Sequence, residues 1–80
     1  VSHELIEKEY KTNDLYFAAF LQAAGCVMKD TNREGSKFFF IFVDTGGLDK
    51  LKIEYFGRRG KVVALDYADC IQGLKALVHS

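Results

Sequence analysis

The run Lys37-Phe-Phe-Phe-Ile-Phe-Val43 is the longest stretch of aromatic and β-branched residues in the chain. Such side chains suit a pleated, buried surface, and the run reads as a strand. Alternate residues of a strand point to opposite faces, so Phe38, Phe40 and Phe42 share one face while Phe39, Ile41 and Val43 share the other. Both faces are apolar. A strand with one solvated face alternates apolar with polar, so this one calls for cover on both sides. Cys26–Thr31 is a weaker and more polar strand, and Asn32–Ser36, containing Gly35, reads as the turn between the two. Together they predict an antiparallel hairpin with the polar strand towards the edge. A lone hairpin is marginal in water and needs a third strand, helices or a partner chain.

Helical spacing marks the remaining segments. Thr12, Asn13 and Asp14 offer N-cap chemistry for a helix from Asp14 to Ala24, which Gly25 ends. That helix is apolar nearly all round: Leu15, Phe17, Ala18, Phe20, Leu21 and Ala24 cover a wide arc, and Tyr16, Ala19 and Ala23 fill much of the rest. It is expected to be buried on more than one side, either within the core or with its outer side against a second subunit. After Asp44-Thr45-Gly46-Gly47, with Thr45 as cap candidate, a second helix runs from about Leu48 to Phe56, and Gly57 and Gly60 end it. Lys61–Leu65 reads either as a brief strand or as an extended lead-in. Asp66 is the expected N-cap of a last helix, whose stripe Tyr67, Cys70, Ile71, Leu74, Leu77 and Val78 is the cleanest amphipathic signal in the chain. Gly73 inside it costs about 1 kcal/mol against alanine, which suggests close approach to a neighbour. The expected fold is α+β: an antiparallel hairpin, with room for a third short strand, packed with three helices in the order α-β-β-α-α. Residues 10–80 form one domain behind a partly ordered N-terminal tail over 1–9, frayed up to about Glu4.

Composition narrows the class. Eighty residues bury a modest core, and seven Phe, four Tyr and a hydrophobic share of 49% compensate for the short length. The formal charge is zero, so no global field steers the chain towards nucleic acid or an anionic surface. Two cysteines make no disulfide framework and point to a reducing, cytoplasmic setting. No apolar run approaches the roughly 20 residues that span a bilayer. Glu4, Glu7 and Glu9 are wrong for a secretory signal, and no membrane partner is expected.

Tyr10-Lys11-Thr12 leading into Asp14-Leu15, then Ala18-Ala19, Leu21 and Gly25, the strand Phe38–Val43 and the ending Leu74-Lys75-Ala76-Leu77 form a set. This pattern resembles a family of small bacterial and phage-borne proteins catalogued only as a domain of unknown function, over roughly residues 10 to 79. The matching positions are core and capping residues. The resemblance implies a compact α+β domain of bacterial or mobile-element origin and carries no chemistry.

Catalytic chemistry is hard to place. His3 and His79 lie at the two ends, Ser2, Ser36 and Ser80 lie in a tail, a turn and the C-terminus, and no C-x-x-C or H-x-x-x-H spacing occurs. Cys26 and Cys70 read as buried, unreactive thiols. Asp66 with Asp69 suits a helix start better than acid–base work. Asp44-Thr45-Gly46-Gly47 lacks the spacing of a phosphate-binding loop, and Asp44 and Asp49 would repel a phosphate. No enzyme, cofactor or metal is expected.

One positive signal is basic. Gly46–Lys61 carries Lys50, Lys52, Arg58, Arg59 and Lys61 against Asp49 and Glu54, an excess of three. Val1–Asp14 carries Glu4, Glu7, Glu9 and Asp14 against Lys8 and Lys11, a deficit of two. The simplest account is a solvated helix end, whose dipole favours cations. The leading functional reading is a small non-enzymatic interaction module that self-associates as a dimer or takes an unidentified protein partner, with Tyr16, Phe17, Phe20, Phe39 and Ile41 as candidate contacts. The alternative is a nucleic-acid-binding accessory protein using Arg58, Arg59 and Lys61 on phosphates.

Overall fold

The computed structural model describes residues 8–44 and 46–79, in the order β1 (Lys8–Thr12), α1 (Leu15–Ala23), β2 (Met28–Glu34), β3 (Lys37–Asp44), α2 (Leu48–Phe56) and α3 (Ala64–Val78). Thr45, the tail before Lys8, and with them His3, Ser2 and Ser80, lie outside the described residues. The fold is α+β, with three helices and one antiparallel sheet in the strand order β1-β3-β2. The aromatic strand is therefore central, with its backbone groups paired on both sides.

The third strand is β1, which precedes the hairpin. Lys61–Val63 is only a lead-in to α3, and the order along the chain is β-α-β-β-α-α. Lys8 and Glu9 belong to this strand and not to a tail. Tyr10 pairs with Phe42 and Thr12 with Phe40, which sets both on the helix side of the sheet. β2 starts and ends later than its apolar content suggests. A bulge at Lys29 inserts an extra residue between Met28, opposite Phe42, and Asp30, opposite Ile41. This shift brings both Met28 and Thr31 to the helix side, three residues apart, and breaks the period-two pattern. The hairpin turn is only Gly35-Ser36; Gly35 has φ 61° and Ser36 is not in the left-handed region, the φ pattern of a type II′ turn.

The helix side of the sheet and the helices enclose one core. Phe40 and Phe42 meet Phe17, Leu21, Leu48 and Leu74, all essentially inaccessible. Within α1 every residue from Phe17 to Leu21 is buried, because the sheet, α2 and α3 surround the helix. The all-round apolar character of α1 is thus satisfied within the chain. Phe17 and Phe20, read from sequence as subunit contacts, are core residues, and Tyr16 alone of the three stays at the surface.

The other side of the sheet also has cover. Lys11 Nζ on β1 lies 2.6 Å from Glu34 Oε2 on β2, and Lys29 Nζ on β2 lies 2.5 Å from Glu9 Oε2 on β1. Both pairs join the two edge strands across the central one. Lys11 Nζ also sits 4.4 Å from the centre of the Phe39 ring. The aliphatic stems of these lysines shield apolar surface while their charges stay in water. Phe39, Ile41 and Val43 are half-buried in consequence.

Caps fix the helix ends. Asp14 Oδ1 accepts from the backbone N–H of Tyr16 (3.0 Å) and Phe17 (3.1 Å), so Asp14 caps α1 as its position predicts. Asp66 does not cap α3. The cap position is Val63, with no side-chain hydrogen bond, and Asp66 stands in the first turn, where a carboxylate complements the dipole. Ala64 and Leu65 are strong helix formers, which lets the helix begin before the acid. Gly73 has nothing within 4 Å of where a Cβ would lie, so it marks no close approach within the chain.

Candidate functional site

α1 and α2 end in the same way. After α1, the Gly25 N–H reaches the Gln22 carbonyl and the Cys26 N–H reaches Leu21; after α2, the Arg58 N–H reaches Tyr55 and the Arg59 N–H reaches Glu54. Both are Schellman motifs, in which one residue takes the left-handed conformation. At α1 that residue is Gly25, with φ 99°; at α2 it is Arg58, with φ 61°. A side chain in this conformation is costly, and Arg58 is the only non-glycine residue with positive φ among those described. Gly60 follows it. A Cβ there would lie 2.6 Å from the Phe20 ring, so only glycine lets the chain pass so close to α1.

This connection forms one wall of a groove of about 670 Å³ between α1, α2 and the start of α3. Phe20, Tyr55 and Tyr67 supply three rings, Val62 and Ala64 aliphatic surface, and Arg58 and Lys61 cations at the rim, while no carboxylate lines it. The Phe20 and Tyr55 ring centres are 5.1 Å apart. Tyr67 donates its hydroxyl to the Tyr16 carbonyl at 3.3 Å. Burial, then Tyr67 and Asp14, raise the Tyr55 phenol above its ordinary pKa, so it stays neutral. Of the sequence-predicted cations, Arg58 and Lys61 meet at this groove and Arg59 does not line it.

The same region carries most of the exposed apolar surface. Ile53 and Phe56 on α2 are 73% and 60% exposed, and Val63 and Leu65 beyond the connection are 62% and 77% exposed. Ile53 and Phe56 stand three residues apart and share a helix face. Leu48, Leu51 and Tyr55 pack into the core; Phe56 sets its ring centre 5.3 Å from that of Phe17 and 5.1 Å from that of Tyr55 yet leaves its outer surface in solvent, as does Ile53.

A second cavity, about 460 Å³, lies at the other end of α1, lined by Ala24–Val27, Val43, Gly47, Leu48 and Leu51. Its one reactive group is Cys26, whose thiol is pushed up by burial and then by Asp44. Cys70 is raised by burial and by Asp66 and Asp69. Both cysteines are free and half-buried, and both favour the protonated, unreactive form. Among the described residues no three His, Cys, Asp or Glu side chains are grouped to hold a metal ion, and no helix is long and apolar enough to cross a membrane.

A family model described as "Domain of unknown function (DUF5659)" matches residues 7–80. The chain belongs to that family. No curated protein and no solved structure matches it.

Proposed function

We propose that this member of a family of unknown function is a small non-enzymatic interaction module that self-associates, with a second copy docking on the α2–α3 corner. The observation that carries the reading is the clustering of Ile53, Phe56, Val63 and Leu65, four of the seven large apolar side chains exposed among the described residues, within one short segment. Isolated exposed apolar residues are ordinary on a protein surface, whereas a concentration of them marks a contact site. The cations Arg58, Arg59 and Lys61 in the same segment supply a polar rim that sets orientation. The buried Phe17 and Phe20 and the shielded Phe39 and Ile41 have no part in this interface; Tyr16, half exposed, can border it. A cytoplasmic setting belongs to the same proposal and is supported by the two free thiols. Bacterial or mobile-element origin rests on the sequence resemblance alone.

The test is the solution mass by light scattering at micromolar concentration. The wild-type chain should run as a dimer, and Ile53→Glu with Leu65→Glu should run as a folded monomer, because a charge at the centre of an apolar contact goes unpaired. A wild-type monomer would refute the reading. So would a dimer that the double variant leaves intact.

A further inference from the structure

The groove beside that corner has a chemistry of its own. Its 670 Å³ falls within the range of small-ligand sites. Two cations and no carboxylate line it, which favours an anion. The Tyr67 hydroxyl is already engaged with the Tyr16 carbonyl, so an incoming group meets the ring of Tyr67 more than its hydroxyl. Asp14, the acid that reaches Tyr55 electrostatically, already accepts two backbone N–H groups at the start of α1. The backbone around Arg58 adds a further argument. The chain uses glycine for the left-handed residue after α1, yet places an arginine in the equivalent position after α2. A side chain kept where glycine is conformationally cheaper points to a use for that side chain.

We propose that the groove framed by Arg58, Lys61, Tyr55, Tyr67 and Phe20 binds a nucleotide unit, a flat base carrying a phosphate, taken either free or as part of a single strand. The base lies against the tyrosine rings, since every base has a π-face to offer an aromatic side chain. Arg58 and Lys61 hold the phosphate, where arginine can present a planar fork of donors to its oxygens. An acidic peptide would satisfy the cations and leave the rings unused. Val62 and Ala64 line the groove whereas Val63 and Leu65 are exposed beside it, so ligand and second copy take different apolar side chains, with Arg58 and Lys61 on the boundary between them.

The experiment is an NMR titration of the full chain, following the tyrosine rings, with three probes: adenosine monophosphate, adenosine, and an oligodeoxythymidylate of about eight residues, within the usual span of a single-strand site. Both phosphate-bearing probes should shift the Tyr55 and Tyr67 signals, and adenosine should bind at least about tenfold more weakly. Arg58→Gly should weaken binding about tenfold with the melting temperature unchanged or raised, since glycine relieves the left-handed strain and folding is not at risk. A tighter complex with the oligonucleotide than with the mononucleotide identifies a single strand as the source; equal affinity identifies the free nucleotide. The proposal is overturned if neither phosphate-bearing probe shifts the rings at millimolar concentration. It is equally overturned if binding survives Arg58→Gly combined with Lys61→Ala, or if a glutamate-rich peptide binds the same rings more tightly than either.

Discussion

Glycines show how much a single missing Cβ decides. Gly60 and Gly73 look alike in sequence, one in a connection and one in a helix, but a Cβ at Gly60 would strike the Phe20 ring and a Cβ at Gly73 would meet open space. Gly73→Ala should therefore stabilise the chain by about 0.5 to 1 kcal/mol, the propensity difference alone. Gly60→Ala should destabilise it by about 1 kcal/mol or more, because the ring it would displace is part of the core. Urea melts of the two variants check both signs. The thiols make a second residue-scale test. Burial raises Cys26 and Cys70 above the ordinary thiol range, and the carboxylates beside them, Asp44 for one and Asp66 with Asp69 for the other, push the same way. The thiolate is the reacting species, so alkylation of each should rise with pH around a midpoint above about 8.5. A midpoint at or below that value would contradict the assigned surroundings.

Elements with one dense signal were legible from sequence: the aromatic run of β3, the stripe of α3 and the cap of α1 all stand close to where their patterns place them. β1 was not, because Lys8 and Glu9 read as part of a tail and only Tyr10 and Thr12 are partly buried. The bulge at Lys29 concealed the inward pair of β2 in the same way. The cover of the outer sheet face could not be foreseen, since Glu9–Lys29 and Lys11–Glu34 become neighbours only once β3 takes the central place. Exposed pairs of this kind contribute little each, and their effect here is to shield Phe39 and Ile41 rather than to hold the sheet. The cations of the groove were visible in sequence, but the rings they border come from α1, α2 and α3, which only the tertiary fold assembles. Two similar aspartates test the cap assignments. Asp14→Ala should cost about 1 kcal/mol, since it strands two N–H groups, whereas Asp66→Ala should cost only a few tenths, since it loses a dipole interaction alone. Equal losses in thermal melts would mean that Asp66 is a cap after all.

For the whole molecule, one core carries the stability, and it is small. Phe40 and Leu74 sit at its centre, each 1% exposed, one from the sheet and one from α3. Truncating either to alanine should cost about 3 kcal/mol or more, a large part of a margin of roughly 5 to 15 kcal/mol. Melting curves close to wild type for both would show that the helix layer and the sheet do not share a core. This core leaves uncovered, among others, four large apolar side chains at the α2–α3 corner, and the account stands on that corner being where a second copy docks. The most direct measurement is an isotope-filtered NOE experiment on a mixture of labelled and unlabelled chain, which sees only contacts between copies. The account predicts intermolecular contacts from Ile53, Phe56, Val63 and Leu65 and none from Phe17, Phe20 or Ile41. Contacts between copies that run instead through the sheet face, or no contacts at all at millimolar concentration, would contradict it.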